Sequence, residues 1–330
     1  MSGATTKMNG IQALNAAIAE AMEKDPKVIL LGEDVADREG GGVIGTTKGL
    51  STRFGDDRVK STPIAEQAIM GAAIGAALGG YKPIAEIMLM NFTTVAMDMI
   101  VNHAAKLRFM SGGQSTVPIT IYTLTGAGAQ TAGQHADHYE AWFAHTAGIK
   151  VVAPSTPADY KGLMLSCIDD PDPCLLVQNM RTLFVPDQVP NDQGPIPLGK
   201  ANVIQEGSDV TIISYSGMVL TARQALGALA EKGVSAELVD LRTVAPWDKE
   251  TVLSSVCKTG RAVIVHEAVR QFGVGAEIAA TLQEELFGAL KAPVRRLGAP
   301  YSPVPFAKVL EDAFLVQPAD VVAAVESVMK

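Results

Sequence analysis

The chain has 330 residues, 48% apolar and 19% charged, which is enough to bury one large core or two and too apolar for a disordered polypeptide. A formal net charge of -8 argues against nucleic acid or an anionic membrane surface as the main partner. Cys167, Cys174 and Cys257 form neither a disulfide framework nor a zinc spacing, Met1 to Lys7 contain no apolar signal core, and no apolar stretch reaches the ~20 residues of a membrane span, so a cytoplasmic protein is expected.

Asn9 to Lys24 have helical periodicity, and Val28 to Leu31 read as a buried strand ending in Gly32-Glu33-Asp34. Gly40 to Gly45 match G-x-G-x-x-G. They follow the polar Asp37-Arg38-Glu39 and no helix starts at once, so a mobile or ligand-facing glycine loop is the better reading than a dinucleotide site. In Ser61-Thr62-Pro63-Ile64-Ala65-Glu66, Pro63 is expected as the first residue of a helix with Thr62 as its N-cap. That helix would carry Gly71, Gly75 and Gly79 on one face. Each glycine costs about 1 kcal/mol in a helix interior, so the face needs a packing reason. Glu66 has two readings: a solvated first-turn residue of a core helix, or a carboxylate at the mouth of a crowded apolar interface, where it exchanges a proton with a ligand. Burial would raise its pKa and the helix N-terminus would oppose the rise.

Further along, Pro83 to Met88 predict a strand, Asn91 to Met110 a helix, and Pro118 to Tyr122 a strand running into the loop Thr125 to His135. His138 to Ala147 read as a helix and Ile149 to Val152 as a strand. Thr156-Pro157-Ala158-Asp159 opens a helix with N-cap, proline and acid in order, and Leu175 to Val177 close the half. Pro186, Pro190, Pro195 and Pro197 then mark a linker. The alternation restarts with strands at 210–213, 236–239, 262–265 and 294–297 and helices near 218–232, 248–258, 275–287 and 319–329. Two doubly wound α/β domains follow, at 1–185 and 200–330, joined by 186–199.

His135, His138 and His145 lie close in sequence, but no acidic or cysteine ligand completes a known metal spacing, and there is no G-x-S-x-G elbow. His135 is the best general acid or base, because it ends a glycine-rich loop at the carboxyl end of a strand; a surface histidine capping a helix fits the same residues. His103 reads as a helix-face residue and His266 as one near an interface. Phe92 suits either stacking on a flat ring or a place in the core.

The strings Leu31-Gly32-Glu33-Asp34-Val35, Thr62-Pro63-Ile64-Ala65-Glu66, Asn91-Phe92, Gln134-His135, Ala141-Trp142-Phe143-Ala144-His145, Lys150-Val151-Val152-Ala153-Pro154 and Gln271 to Ile278 are specific in their order and spacing. Together they resemble the β subunit of the thiamine-diphosphate-dependent decarboxylating component of 2-oxo acid dehydrogenase complexes. The resemblance implies a pyrimidine-binding thiamine-diphosphate domain followed by a transketolase C-terminal-like domain. It implies that Glu66 hydrogen-bonds the pyrimidine ring nitrogen and so favours the imino tautomer that deprotonates the thiazolium carbon. It further implies that Phe92 packs on the pyrimidine, that Glu33 and Met90 line the cofactor, and that His135 handles protons as the acyl group passes to a lipoyl arm. A structural potassium site of backbone carbonyls would fall at Ile119, Cys167, Ile168, Asp170 and Asp172, where Asp169 to Pro173 also read as a helix-terminating turn.

The G-D-G…N motif that holds the diphosphate and its magnesium ion is absent from the sequence. In the family it lies on a separate α subunit. The resemblance therefore implies an α2β2 heterotetramer, inactive without its α subunit, that serves a dihydrolipoamide acyltransferase. Ala136-Asp137 stand where many relatives carry Ser-Gln; the acid would raise the pKa of His135 or cap the next helix. This departure keeps open a catalytically silent assembly or regulatory paralogue. Gly42 to Leu50 and Phe287 to Pro293 look most like the acetoin branch, which leaves the substrate open between a 2-oxo acid and acetoin.

Overall fold

The computed structural model describes residues 4–330; Met1, Ser2 and Gly3 of the polar N-terminal stretch lie outside the described residues. Chain order in the first half is β1 (Thr5–Met8), α1 (Gly10–Lys24), β2 (Val28–Glu33), α2 (Leu50–Phe54), β3 (Val59–Thr62), α3 (Glu66–Leu78) and β4 (Lys82–Leu89). It continues with α4 (Leu107–Met110), β5 (Thr120–Thr125), α5 (Glu140–Ala144), β6 (Lys150–Val152), α6 (Pro157–Asp169), β7 (Cys174–Asn179), α7 (Met180–Leu183) and β8 (Asp187–Pro190). The second half holds β9 (Asn202–Gln205), β10 (Val210–Ser214), α8 (Gly217–Glu231), β11 (Ala236–Asp240), β12 (Thr243–Ala245), α9 (Lys249–Thr259), β13 (Ala262–Val269), α10 (Val274–Leu286), β14 (Arg295–Ala299), α11 (Lys308–Phe314) and α12 (Pro318–Met329).

The helix starts follow from local chemistry. Asn9 and Gln12 form a reciprocal capping box at α1, and Thr156 and Asp159 form another at α6, with Pro157 in the first turn. The first sheet has the order β12-β6-β7-β5-β4-β2-β3. All its neighbours pair parallel except β12, which joins antiparallel from the second half. Alternate residues of β2 serve opposite faces: Val28 and Leu30 pack with α1 and α6, Ile29 and Leu31 with α3. The second sheet, β14-β13-β10-β11-β9, is parallel except for β9. Ile213, Val239, Ile264 and Ile278 of the second half share one hydrophobic core with Phe143 and Val151 of the first. The two-domain α/β architecture is thus the expected one, with the domains fused through a common core.

Several expectations are corrected. Thr62 pairs with Glu33 at the end of β3, so it is not an N-cap; Pro63 to Ala65 are outside the helix, and α3 begins at Glu66 without a side-chain cap. The predicted helix from Asn91 to Met110 breaks into a 3₁₀ turn (Met90–Thr94), a π-helical segment (Met99–Ala104) and α4. Thr93 and Thr94 hydroxyls donate to the carbonyls of Met90 and Asn91, at 2.6 and 2.7 Å, in competition with a regular helix. The helix predicted over His138 to Ala147 shrinks to α5. The Pro-rich stretch is not a free tether: β8 pairs antiparallel with β1, and the Ile196 N–H donates to the Gly162 carbonyl. The glycine loop is pinned as well, with Gly42 N–H on the Asp34 carbonyl at 2.7 Å and Thr47 N–H on that of Gly41 at 2.9 Å.

Thr156→Ala removes one half of the α6 capping box. It is expected to lower unfolding stability by about 1 kcal/mol, read as a lower denaturant midpoint at unchanged slope.

Candidate active site

In the first sheet β3, β2, β4 and β5 are consecutive and parallel, so their carboxyl ends share one edge. Crevices at such an edge are where open α/β sheets bind ligands. Glu33 ends β2, Glu66 follows β3, Met90 and Phe92 follow β4, and His135 lies in the loop after β5. Glu33 is 7% and Glu66 8% exposed. Burial raises the pKa of Glu33, and the charges of Glu66 and Asp34 push it further the same way. Glu33 Oε1 is buried with no hydrogen-bond partner. Glu66 opens α3 as its first residue.

Phe92 is half-buried and meets the His135 ring edge-on, centroids 5.7 Å apart at 73°. Met90 is wholly buried, and its sulfur accepts the Tyr139 N–H at 3.3 Å. Asn91 ties the far end of the His135 loop. Its amide donates to the Gly133 carbonyl (3.1 Å) and to Asp137 Oδ2 (2.8 Å), and its oxygen accepts the Asp137 N–H (3.2 Å). Asp137 Oδ2 also takes the Tyr139 hydroxyl at 3.1 Å. Asp137 therefore does not cap α5, which starts at Glu140 without a side-chain cap. Ala136 is buried in a small apolar cluster with Val304 and Phe314.

The three clustered histidines part company. His138 is buried, with Nδ1 2.9 Å from Glu140 Oε1 and Nε2 3.2 Å from Glu267 Oε1. Burial alone would lower its pKa, but the two carboxylates outweigh it and hold the imidazolium well above the usual range. Arg181 and Tyr215 also face this cluster. His103 sits in the π-helical segment, 3.7 Å from Asp98. His266 is fully buried in β13, within reach of the charges of Glu140 and His138 of the first half; its Nδ1 lies 3.0 Å from the Ala268 carbonyl, and burial lowers its pKa to about 4. Among the described residues no group of histidine, cysteine and acidic side chains is placed to hold a metal ion.

Sequence reasoning missed several buried acids. Glu86 of β4 is buried, and burial raises its pKa to about 8; Tyr122 of β5 lies directly opposite it. Glu140, Glu267 and Glu311 were missed too; they are 1%, 5% and 0% exposed. The available signal was an acid inside an apolar run, as in Ile84-Ala85-Glu86-Ile87 and Ile264-Val265-His266-Glu267.

The residues expected at a potassium site lie together at the opposite, amino edge of the sheet. Cys174 N–H donates to the Ile119 carbonyl at 2.9 Å, and Asp170 N–H to that of Cys167 at 3.3 Å. Lys150 Nζ is 2.5 and 2.7 Å from the Asp170 oxygens, and Arg108 is 2.6 Å from Asp172. The Cys167 thiol neighbours that of Cys174, which with burial raises its pKa.

Known proteins now give this geometry a context. The family model "Transketolase, pyrimidine binding domain" matches residues 6–184, and "Transketolase, C-terminal domain" matches residues 199–321. The chain is 43% identical over 326 residues to the acetoin:2,6-dichlorophenolindophenol oxidoreductase subunit beta of Cupriavidus necator, covering 96% of each. It is 41% identical over 325 residues to the pyruvate dehydrogenase E1 component subunit beta of Bacillus subtilis, covering 98% of this chain and 99% of that one. A split-gene transketolase solved as an inactive beta4 tetramer shares the fold, with a TM-score of 0.80 at 23% identity over 98% of both chains. Fold and edge together define a subunit of the thiamine-diphosphate-dependent, transketolase-like class. The chain belongs to the family of β subunits of the E1 component of pyruvate and acetoin dehydrogenase complexes, oxidoreductases in which this subunit works with an α subunit.

The sign of the His138 linkage is testable. Below about pH 6.5 folded and unfolded His138 are both protonated and the ion pairs stabilise in full. As pH climbs toward the raised folded value, the unfolded chain sheds its proton first and the contribution is lost. Unfolding stability between about pH 6 and pH 9 is therefore expected to fall more steeply for the native protein than for His138→Gln, measured by denaturant titration at each pH.

Proposed function

We propose that this chain supplies the pyrimidine half of a thiamine diphosphate site that an α subunit completes. The assembled enzyme decarboxylates a 2-oxo acid or cleaves acetoin and hands the acyl group to the lipoyl arm of a dihydrolipoamide acyltransferase. The observation that carries this reading is the pair Glu33 and Glu66, both buried where β2 and β3 end, with the charge of Glu66 felt at Glu33 and Glu33 Oε1 lacking any internal partner. A buried acceptor without a partner is costly unless a ligand completes it, so the chain's own chemistry fits a ring that brings donors.

Thiamine diphosphate, when bound, supplies the carbon nucleophile and the electron sink. Glu66 would hold the pyrimidine ring nitrogen and share a proton with it, from a position that is 8% exposed. Phe92 would offer a ring face to the pyrimidine, and Met90 belongs to the apolar core on which Phe92 packs. His135, with Asp137 engaged by Asn91 and Tyr139, is left to move a proton as the acyl group is transferred. That engagement favours an active subunit over a silent paralogue. Without a G-D-G…N motif, this chain leaves the diphosphate and its magnesium ion to the α subunit.

Assembly as an α2β2 heterotetramer gives the small-residue face of α3 a use. Ile69, Met70, Ala73 and Ile74 point into the core, while Gly75 meets no atom within 4 Å on its open side. At the amino edge, the side chains of Asp170 and Asp172 are paired with Lys150 and Arg108, and the main-chain carbonyls of Ile119, Cys167, Ile168, Asp170 and Asp172 are the donors for a structural potassium ion. The free thiols of Cys167, Cys174 and Cys257 accord with a reducing compartment such as the cytoplasm. Pyruvate and acetoin both remain substrates for assay, since the relatives named for each are about equally similar.

Glu66→Gln is expected to slow exchange of the cofactor's reactive ring proton by about 100-fold or more in the reconstituted complex, followed by NMR after acid quench, with the α/β assembly intact on size-exclusion chromatography. Near-normal exchange would remove Glu66 from its role. Gly75→Leu is expected to leave the chain folded but abolish its co-elution with the α subunit; an intact, active complex would refute the packing role.

A further inference from the structure

Two buried carboxylates of the second domain have no part in the chemistry above. Glu311 of α11 is 0% exposed, yet no lysine or arginine pairs with it among the described residues. Its charge rests on main-chain amides of the His135 loop: Gly128 N–H at 2.7 Å and Gln130 N–H at 3.1 Å to Oε1, with Oε2 3.2 Å from the latter. Glu267 of β13 accepts the Ala127 N–H at 2.8 Å through Oε1 and the Asn179 amide at 2.9 Å through Oε2.

The loop that receives these bonds is bent. Gly126 and Gly128 have φ of +116° and +110°, and the non-glycine residues Gln130 and Ala132 stand at +56° and +62°. Left-handed residues turn successive amides to one side and make a concavity that favours an anion. Here the anion is internal. Non-glycine residues persist in this region when their surroundings hold them there. The loop is also sealed to the second domain by Ala127, Ala136, Val304, Phe314 and Leu315. Gly133 fits closely under Pro303, where an added Cβ would lie 3.2 Å from the proline Cβ.

We infer that Glu311 and Glu267 are positioning residues: they grip the main chain of residues 127–130 and thereby fix where His135 stands against Phe92. The inference rests on the reading of His135 given above. Asn91 brackets the histidine through Gly133 and Asp137, and the two glutamates fix the loop further upstream. A carboxylate suits this task because a single oxygen accepts from two amides and the full charge strengthens both bonds. An apolar residue at position 311 would leave the Gly128 and Gln130 amides without these partners.

The test uses the reconstituted α/β complex with pyruvate and acetoin as donors and lipoamide as acceptor. Glu311→Ala is expected to speed amide hydrogen exchange of residues 127–130 by about tenfold or more while the β5 amides stay protected. The same variant should lower kcat for lipoamide acylation by about tenfold or more, because small displacements of a reacting group are costly. Glu311→Gln, which keeps one acceptor, should recover part of both. The double variant His135→Ala/Glu311→Ala should be no slower than His135→Ala, since Glu311 acts through that histidine. Asp312→Asn, an exposed neighbour, should change nothing. If Glu311→Ala fails to assemble, Glu311→Gln and Glu267→Gln carry the comparison. Faster exchange with unchanged acylation, or losses that multiply in the double variant, would overturn the inference. Should His135→Ala itself acylate lipoamide normally, the reading of His135 fails instead, and the exchange rates still decide whether Glu311 holds the loop.

Discussion

Glu33 and Glu66 share one dry edge of a parallel sheet. Both carboxyl groups are less than a tenth exposed, and burial, with the charges of Glu66 and Asp34, pushes the Glu33 carboxyl upward. Glu66 stands at the start of α3, in the helix's first turn. The arrangement depends on topology. Because β3, β2, β4 and β5 run parallel, one edge collects the last residue of β2, the first residue of α3, the turn bearing Phe92 and the loop bearing His135. An antiparallel neighbour would have sent its carboxyl end to the other side.

The second domain completes the first. It lends β12 to the first sheet, shares one apolar core with it and places Glu267 and Glu311 behind the His135 loop. The His138 imidazolium lies between Glu140 of the first domain and Glu267 of the second, so the seam contains an ion triad as well as hydrocarbon. Buried charges of this kind are weak arguments for stability by themselves, but removing one partner strands the others. The seam is accordingly built to hold a single arrangement, which suits a loop whose backbone departs from relaxed geometry.

Much of this was legible in the sequence, and for identifiable reasons. The α6 start could be read because Thr156, Pro157 and Asp159 act locally. The strands of both sheets could be read because buried parallel strands are continuous apolar runs. Glu66 stood out as a lone acid before an almost uncharged segment, and Glu33, Phe92 and His135 fell where strands end. What escaped was non-local. Thr62 has the chemistry of an N-cap, but its pairing with Glu33 takes precedence. The segment from Asn91 to Met110 is helix-like by composition, but the hydroxyls of Thr93 and Thr94 turn back on the main chain. Glu311 sits in an ordinary amphipathic helix, and only the folded chain shows that its partners are amides 181 and 183 residues away in sequence.

The central claim is that this polypeptide holds half of a shared site. The direct measurement is a calorimetric titration of thiamine diphosphate with magnesium into this chain, into the α subunit and into their equimolar mixture, with turnover of pyruvate and acetoin followed in parallel. Tight, saturable binding and turnover are expected in the mixture only. Tight binding and unaided turnover by this chain alone would contradict that claim.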